Sequence, residues 1–363
     1  MSSLKRRDFV KGVSAFVCMS SVPLSLTYSS RAKASFGAIE ASELPGFQGH
    51  YCAAISTSRE GSIIGLMRNE KARVADWEGE VLGGKDEAVI WLPDGSHKRL
   101  STPIHGQMSQ IQSVSSTGVS CGLFQNNNGV LQAFTWENEV WTQLEGLRQD
   151  ARCRASGVNA QKIVVGNAVK GRADVPVYWD STISLSPQLL PIPEGFRGVA
   201  SGVNDEGFVV GYITAINSAI AHPVVWFDKD SLPQKLATPS SVISASATGI
   251  ASDGTIFGSV QDKSGVFKAA CWRGDEVNLI NGIGDNRSKV LSVSEAGVAV
   301  GSYMSKDREF KLFAWKDNRS VDLQGLGGRL QCVYSISDNG VACGMSQDLS
   351  GDSRAVTWNV DSI

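Results

Sequence analysis

The stretch Ala247-Thr-Gly-Ile-Ala-Ser-Asp253-Gly254-Thr255-Ile-Phe-Gly258-Ser-Val260, followed by Phe267-Lys-Ala-Ala-Cys-Trp272-Arg273-Gly274-Asp275-Glu276-Val-Asn-Leu-Ile280, holds four short apolar runs. Asp253-Gly254 and Gly274-Asp275 each fall between two of them, and such pairs mark hairpin turns because those residues reach positive φ at low cost. A loop, Gln261 to Gly265, separates the second run from the third. The unit therefore reads as four antiparallel strands. Its two fixed points recur along the chain. Trp91, Trp136, Trp179, Trp226, Trp272, Trp315 and Trp358 stand 43 to 47 residues apart. A glycine closing a short apolar strand keeps step with them: Gly65, Gly122, Gly166, Gly211, Gly258, Gly301 and Gly344. In units two to seven that glycine precedes its tryptophan by 13 to 15 residues, and another glycine usually lies four residues before it.

Two markers in register over seven copies define an internal repeat, and four strands in roughly 44 residues make one blade. The expected fold is an all-β, seven-bladed β-propeller of four-stranded blades, with a β-solenoid as the alternative. Unit seven stops soon after Trp358 and lacks a fourth strand. Phe36–Leu44 is expected to pair beside the last strand and close the ring, which removes exposed sheet edges. Unit one carries an insertion, Arg68 to Glu87, read as a surface loop or hairpin. At one fixed place on every third strand, the tryptophans read as packing between blades rather than as a sugar-stacking surface.

The N-terminus reads as a targeting segment. Lys5-Arg6-Arg7-Asp8-Phe9-Val10-Lys11 resembles a twin-arginine export signal, with an apolar stretch after it and Ala32-Lys33-Ala34 as a small-x-small cleavage site. Residues 1–34 are expected to be removed, leaving 35–363 as one propeller in the periplasm or outside the cell. Ser20, Ser21, Pro23 and Ser25 break the apolar stretch and argue against a permanent membrane span. The motif Gly202-Val-Asn-Asp-Glu-Gly-Phe-Val-Val-Gly211, its relative Gly157-Val-Asn-Ala-Gln-Lys162-Ile-Val-Val-Gly166, and Gln132-Ala-Phe-Thr-Trp136 resemble the HAF-type extracellular repeat of exported bacterial proteins. That resemblance implies an exported repeat protein of propeller type and brings no reaction and no catalytic residues.

A net charge of −2 gives no global reason to expect nucleic acid or an anionic membrane. The six cysteines after the leader, Cys52, Cys121, Cys153, Cys271, Cys332 and Cys343, have no Cys-x-x-Cys spacing and read as small apolar strand residues, with one disulfide left open. The four histidines are His50, His97, His105 and His222. None has a metal-ligand spacing, and no catalytic elbow or phosphate loop occurs. No metal site and no cofactor are expected, and a monomer is.

Charge placement carries the functional expectation. Arg152, Arg197 and Arg287 each fall 14 residues before the marker glycine, and Arg329 falls 15 before. Together with His50 and His105 they sit in the segments between blades. The hairpin turns on the opposite face are acidic, Asp205, Asp253, Glu295 and Asp338 among them. A ring of arginines suits carboxylate or phosphate through bidentate hydrogen bonds. The expected function is a non-catalytic binding module for an anionic ligand, an acidic glycan or an acidic protein patch, at a basic central mouth, with an anionic small molecule, glycan or protein as the partner. The alternatives are a glycosidase or lyase working in the central funnel, which would need two or three inward acids close together, and a structural envelope component.

Overall fold

A computed structural model describes residues 36–46, 51–58, 61–68, 86–99, 109–138, 140–149, 151–283, 287–361 and 363. The chain is an all-β, seven-bladed β-propeller. Blades one to five are consecutive antiparallel meanders. Blade one is β3–β6 (Tyr51–Thr57, Ile63–Arg68, Asp86–Trp91, His97–Arg99), and blade two is β7–β10 (Ser109–Val114, Ser120–Gln125, Leu131–Glu137, Val140–Gln143). Blade three is β11–β14 (Cys153–Val158, Ile163–Lys170, Ala173–Asp180, Gln188–Leu189), and blade four is β15–β18 (Phe196–Val203, Val209–Ala215, Ala221–Trp226, Gln234–Lys235). Blade five is β19–β22 (Val242–Ile250, Ile256–Asp262, Phe267–Arg273, Glu276–Leu279).

The last two blades share the N-terminal segment. Blade six, β23–β26 (Ser288–Val293, Ala299–Met304, Phe310–Lys316, Arg319–Gln324), gains β1 (Phe36–Glu40) as a fifth strand, parallel to β26. Blade seven, β27–β29 (Gln331–Ile336, Val341–Gln347, Ser353–Asn359), is completed by β2 (Ser42–Glu43), antiparallel to β29. The expectation that all of Phe36–Leu44 lies beside the last strand is therefore corrected. Ring closure uses only Ser42–Glu43 and the adjoining Leu44, whose N–H donates to Ala355 O at 2.9 Å. Half-buried Ile39 and Ala41 explain the split, since both pack on the apolar cluster between blades six and seven.

Seven apolar clusters fill the seven gaps between neighbouring blades, and each holds one of the marker tryptophans packed on the blade before it. Core packing is only part of what the indole does. Nε1–H of Trp91, Trp179, Trp226, Trp272 and Trp358 donates to a carbonyl in the segment leaving the preceding blade, namely Pro45, Glu145, Pro191, Ala237 and Gln324, at 2.8–3.0 Å. The marker glycines leave room for the innermost strand. A Cβ on Gly211 would sit 2.0 Å from Val199 O, and one on Gly344 would also strike the Trp358 ring.

Opposite each marker glycine the innermost strand carries one extra residue, a β-bulge, in all seven blades. The Asn of Gly-Val-Asn ties blades together. Asn204 Oδ1 accepts from Phe208 N–H at 2.9 Å while its Nδ2 donates to Ala251 O of the next blade at 3.2 Å. Asn159 does the same, with Ile163 N–H and with Asn204 O. Lys162, where most units have glycine, adopts the same left-handed backbone (φ 63°) that Gly207 and Gly254 adopt (82° and 85°).

Arg68 closes β4 and is buried, and Asp86 pairs with it in β5. The insertion in blade one is thus shorter at both ends than Arg68–Glu87, because the strand ladder runs to its last rung. Residues 69–85, including Trp77, lie outside the described residues, as do residues 1–34, where a leader is expected.

Candidate functional site

The innermost strands surround an axial cavity of ≈680 Å³, within the ~300–1,000 Å³ range of small-molecule sites. Nearly consecutive residues of each innermost strand line it, so levels two residues apart, at ~3.3 Å each, stand about 7 Å apart along the axis. The middle layer consists of the seven bulge residues, all of which line the cavity: Ile55, Gln112, Ser156, Ser201, Thr248, Leu291 and Tyr334. The extra residue turns each of these side chains toward the axis. Their order around the ring divides the wall. Blades two to five present Gln112, Ser156, Ser201 and Thr248, whereas blades six, seven and one present Leu291, Tyr334 and Ile55.

One layer toward one end are Arg154 and Lys289, on blades three and six, which stand on roughly opposite sides of a seven-membered ring. One layer toward the other end is an almost wholly apolar collar of Thr57, Val114, Val158, Val203, Ile250, Val293 and Ile336. Small residues between bulge and collar let adjacent strands approach. A Cβ on Gly157 would lie 3.2 Å from Gly202 Cα, and one on Gly202 would lie 2.9 Å from Thr248 O.

Arg152, Arg197 and Arg287 occupy equivalent rungs, one step above Arg154, Val199 and Lys289 on the same strand face, at or just before the start of the innermost strand. None of the three lines the cavity, whereas Asp174, the partner of Arg152, does. Arg152 pairs with Asp174 at 3.2 Å, with both side chains more than a third exposed, a geometry that contributes little to stability. Arg197 and Arg329 are exposed and Arg287 is half-buried. Arg329 lies before β27 and does not line the cavity. His50 and His105 lie outside the described residues. The inner basic groups are thus Arg154 and Lys289. A fixed offset from the glycine marks the rim, whereas the wall begins two residues later. Arg154 lies one step further along the same face, and nothing in the repeat spacing marks that step as the start of the wall.

The far end of the cavity is acidic. Asp205, Glu295 and Asp338 all line it from the turns of blades four, six and seven. Their carboxylates tie turns together. Asp205 accepts from Ala160 N–H at 2.8 Å and Asp338 from Glu295 N–H at 2.8 Å. Glu295 reaches past blade five to accept from Asp205 N–H at 2.9 Å, and its other oxygen accepts from the Ser252 hydroxyl. Burial, reinforced by the negative charges of Asp205 and Asp338, pushes the Glu295 carboxyl up to about 7. Tyr334, on the middle layer, shares a long contact with the Tyr51 hydroxyl (3.4 Å), and burial pushes its phenol up.

Among the described residues no group of His, Cys, Asp and Glu could hold a metal ion. All six cysteines are buried there, and burial pushes the Cys271 and Cys343 thiols up to about 11 and about 12, which disfavours the reactive thiolate. No helix among the described residues is long and apolar enough to cross a membrane.

No protein-family model matches the chain, and no curated protein matches it. Solved structures do. The β-propeller domain of the Trilobed protease from Pyrococcus furiosus superposes with a TM-score of 0.56 at 13% identity, covering 88% of this chain and 95% of that one. Oligogalacturonate lyase from Vibrio parahaemolyticus gives 0.56 at 10% identity over 89% and 94%. A catalytically inactive virginiamycin B lyase from Staphylococcus aureus gives 0.55 at 10% over 88% and 98%. At such identities the likeness is one of fold, and the fold supports many unrelated functions.

Proposed function

We propose that the chain is an exported, non-catalytic binding module that takes an anionic ligand, an acidic glycan or an acidic protein segment, at the basic end of its axial cavity. The observation that carries this reading is the inward pair Arg154 and Lys289 at one end of a ligand-sized cavity, beneath the rim formed by Arg152, Arg197 and Arg287. Guanidinium and ammonium groups held against low-dielectric walls attract anions more strongly than the same groups on an open surface. The twin-arginine-like leader and the HAF-type repeat support export. Calorimetric titration with oligoglutamate, alginate oligosaccharides and dextran sulfate tests the reading. At least one anion should bind, more weakly as salt rises and more weakly again after Arg154→Gln with Lys289→Gln. Binding of none, or binding indifferent to both substitutions, refutes it.

A second reading, a carbohydrate-active enzyme working in the funnel, draws on Glu295, whose carboxyl titrates near neutrality in the way a general acid or base does. Both of its oxygens are engaged by Asp205 N–H and Ser252, so the group is placed to hold turns together. Turnover of an acidic oligosaccharide that disappears with Glu295→Gln would favour the enzyme.

A further inference from the structure

Resting on the binding reading above, the geometry points to a ligand of narrower class: we infer that the cavity takes the sugar ring of an acidic saccharide, a uronate unit, with its carboxylate toward Arg154 and its hydroxyl edge toward blades two to five. The bulge layer divides into two arcs. Gln112, Ser156, Ser201 and Thr248 supply an amide and three hydroxyls on consecutive blades, while Leu291, Tyr334 and Ile55 supply an apolar wall on the rest. Pyranose rings have this same division, with hydroxyls around the edge and C–H groups on a face that packs against an aromatic or aliphatic surface. The spacing also fits. Arg154 and Ser156 lie two residues apart on β11, about 7 Å along the strand, roughly the span from a uronate carboxylate to the far hydroxyls of its ring.

The depth of the cavity argues against the two other anions. An acidic protein patch is convex and meets a rim, whereas Arg154 and the polar arc lie below the rim arginines on the inner wall. A simple aliphatic carboxylate would use the apolar collar and set the hydroxyls of Ser156, Ser201 and Thr248 against a hydrocarbon chain. Hydroxyl groups left unpaired against such a ligand would cost affinity. Three carboxylates, Asp205, Glu295 and Asp338, stand at the far end, against Asp174 alone at the near end, where it is already bonded to Arg152 and Asn167; this contrast orients the ligand with its charge toward Arg154 and Lys289.

Titration of the full chain with dimannuronate, mannobiose and hexanoate tests this. The neutral sugar keeps the hydroxyls, and hexanoate keeps the carboxylate. Dimannuronate should bind at least about 10-fold tighter than either. Arg154→Gln should weaken it about 10- to 100-fold, and Thr248→Val, which keeps the shape and removes one hydroxyl, about 3- to 10-fold. Circular dichroism and melting temperature confirm that each variant folds, and the exposed Arg154 makes that variant safe. Hexanoate binding as tightly as dimannuronate, or Thr248→Val leaving affinity unchanged, overturns the sugar assignment. If dimannuronate fails while oligoglutamate or dextran sulfate still binds through Arg154, the uronate assignment falls and the anion-binding cavity stands. If no anion binds, both fall.

Discussion

Replacing Glu295 by Gln should make this propeller more stable above neutral pH, although it removes a residue that bonds across three blades. The Glu295 carboxyl is raised from 4.5 to about 7, chiefly by burial, with the charges of Asp205 and Asp338 adding to it and the bonds from Ser252 and Asp205 N–H opposing it. Between those two values the folded chain holds a proton that the unfolded chain has released. Stability is therefore fullest below the unfolded value and declines as pH rises through the folded one. At 1.36 kcal/mol per unit, a displacement of this size corresponds to about 3 kcal/mol. Gln can keep both contacts, accepting from Asp205 N–H through Oε1 and donating to Ser252 Oγ through Nε2, with no charge to bury. Urea unfolding of both proteins at pH 5 and pH 8 reads the difference directly, because every other titrating group is common to the pair. Because the unfolded carboxyl is already largely ionised at pH 5, the gap in unfolding free energy should widen by about 2.5 kcal/mol in favour of Glu295→Gln between the two pH values, which for a chain of this size is about 4 °C in Tm. Parallel pH profiles, or a variant less stable than the parent at pH 8, would refute the assignment of Glu295 as a buried acid strained by its neighbours.

Two further contrasts test how the repeat works. Gly211→Ala places a Cβ 2.0 Å from Val199 O and should cost more than about 3 kcal/mol, while Gly207→Ala meets nothing within 4 Å and suffers only a left-handed backbone, about 1 kcal/mol; chemical denaturation of the two separates clash from conformation. Trp226→Phe loses the 2.8 Å bond to Pro191 O and should cost about 1 kcal/mol more than Trp315→Phe, whose buried Nε1 has no hydrogen-bond partner among the described residues. Equal losses for the two would mean that the indole acts by packing alone.

The blade count and the role of the tryptophans were legible because both depend on patterns local to one unit. The hairpin turns at Asp253-Gly254 and Gly274-Asp275 and the Gly258-to-Trp272 spacing each follow from a few neighbouring residues. What stayed hidden depends on register between elements. Sequence pattern shows that Phe36–Leu44 is a spare strand, but its division between blades six and seven is decided by where Ile39 and Ala41 find apolar partners some 300 residues away. The cavity wall stayed hidden for a similar reason. A fixed offset from Gly166 gives a level along the strand but not the depth at which the cavity begins, so it finds Arg152 on the rim, while Arg154, one step further along the same face, lines the cavity. The acids were legible as turn residues, and their reach across blades was not: Glu295 and Asp205 are 90 residues apart.

The strap formed by β1 and β2 sets the order in which the protein can be made. Its residues are synthesised ahead of every blade, yet their hydrogen-bonding partners, Val321 to Gln324 and Ala355 to Thr357, come from the last two blades. Blades one to five can collapse pairwise on neighbouring tryptophans as they emerge, since those contacts span little more than one repeat. The seam cannot close until blade seven has been synthesised, and contacts between segments some 300 residues apart form slowly. Until then, blade one and the newest blade each present an uncovered apolar face. Nascent chains stalled before Trp358 should therefore be protease-sensitive and sticky at both ends, whereas the released chain resists digestion as a single closed body.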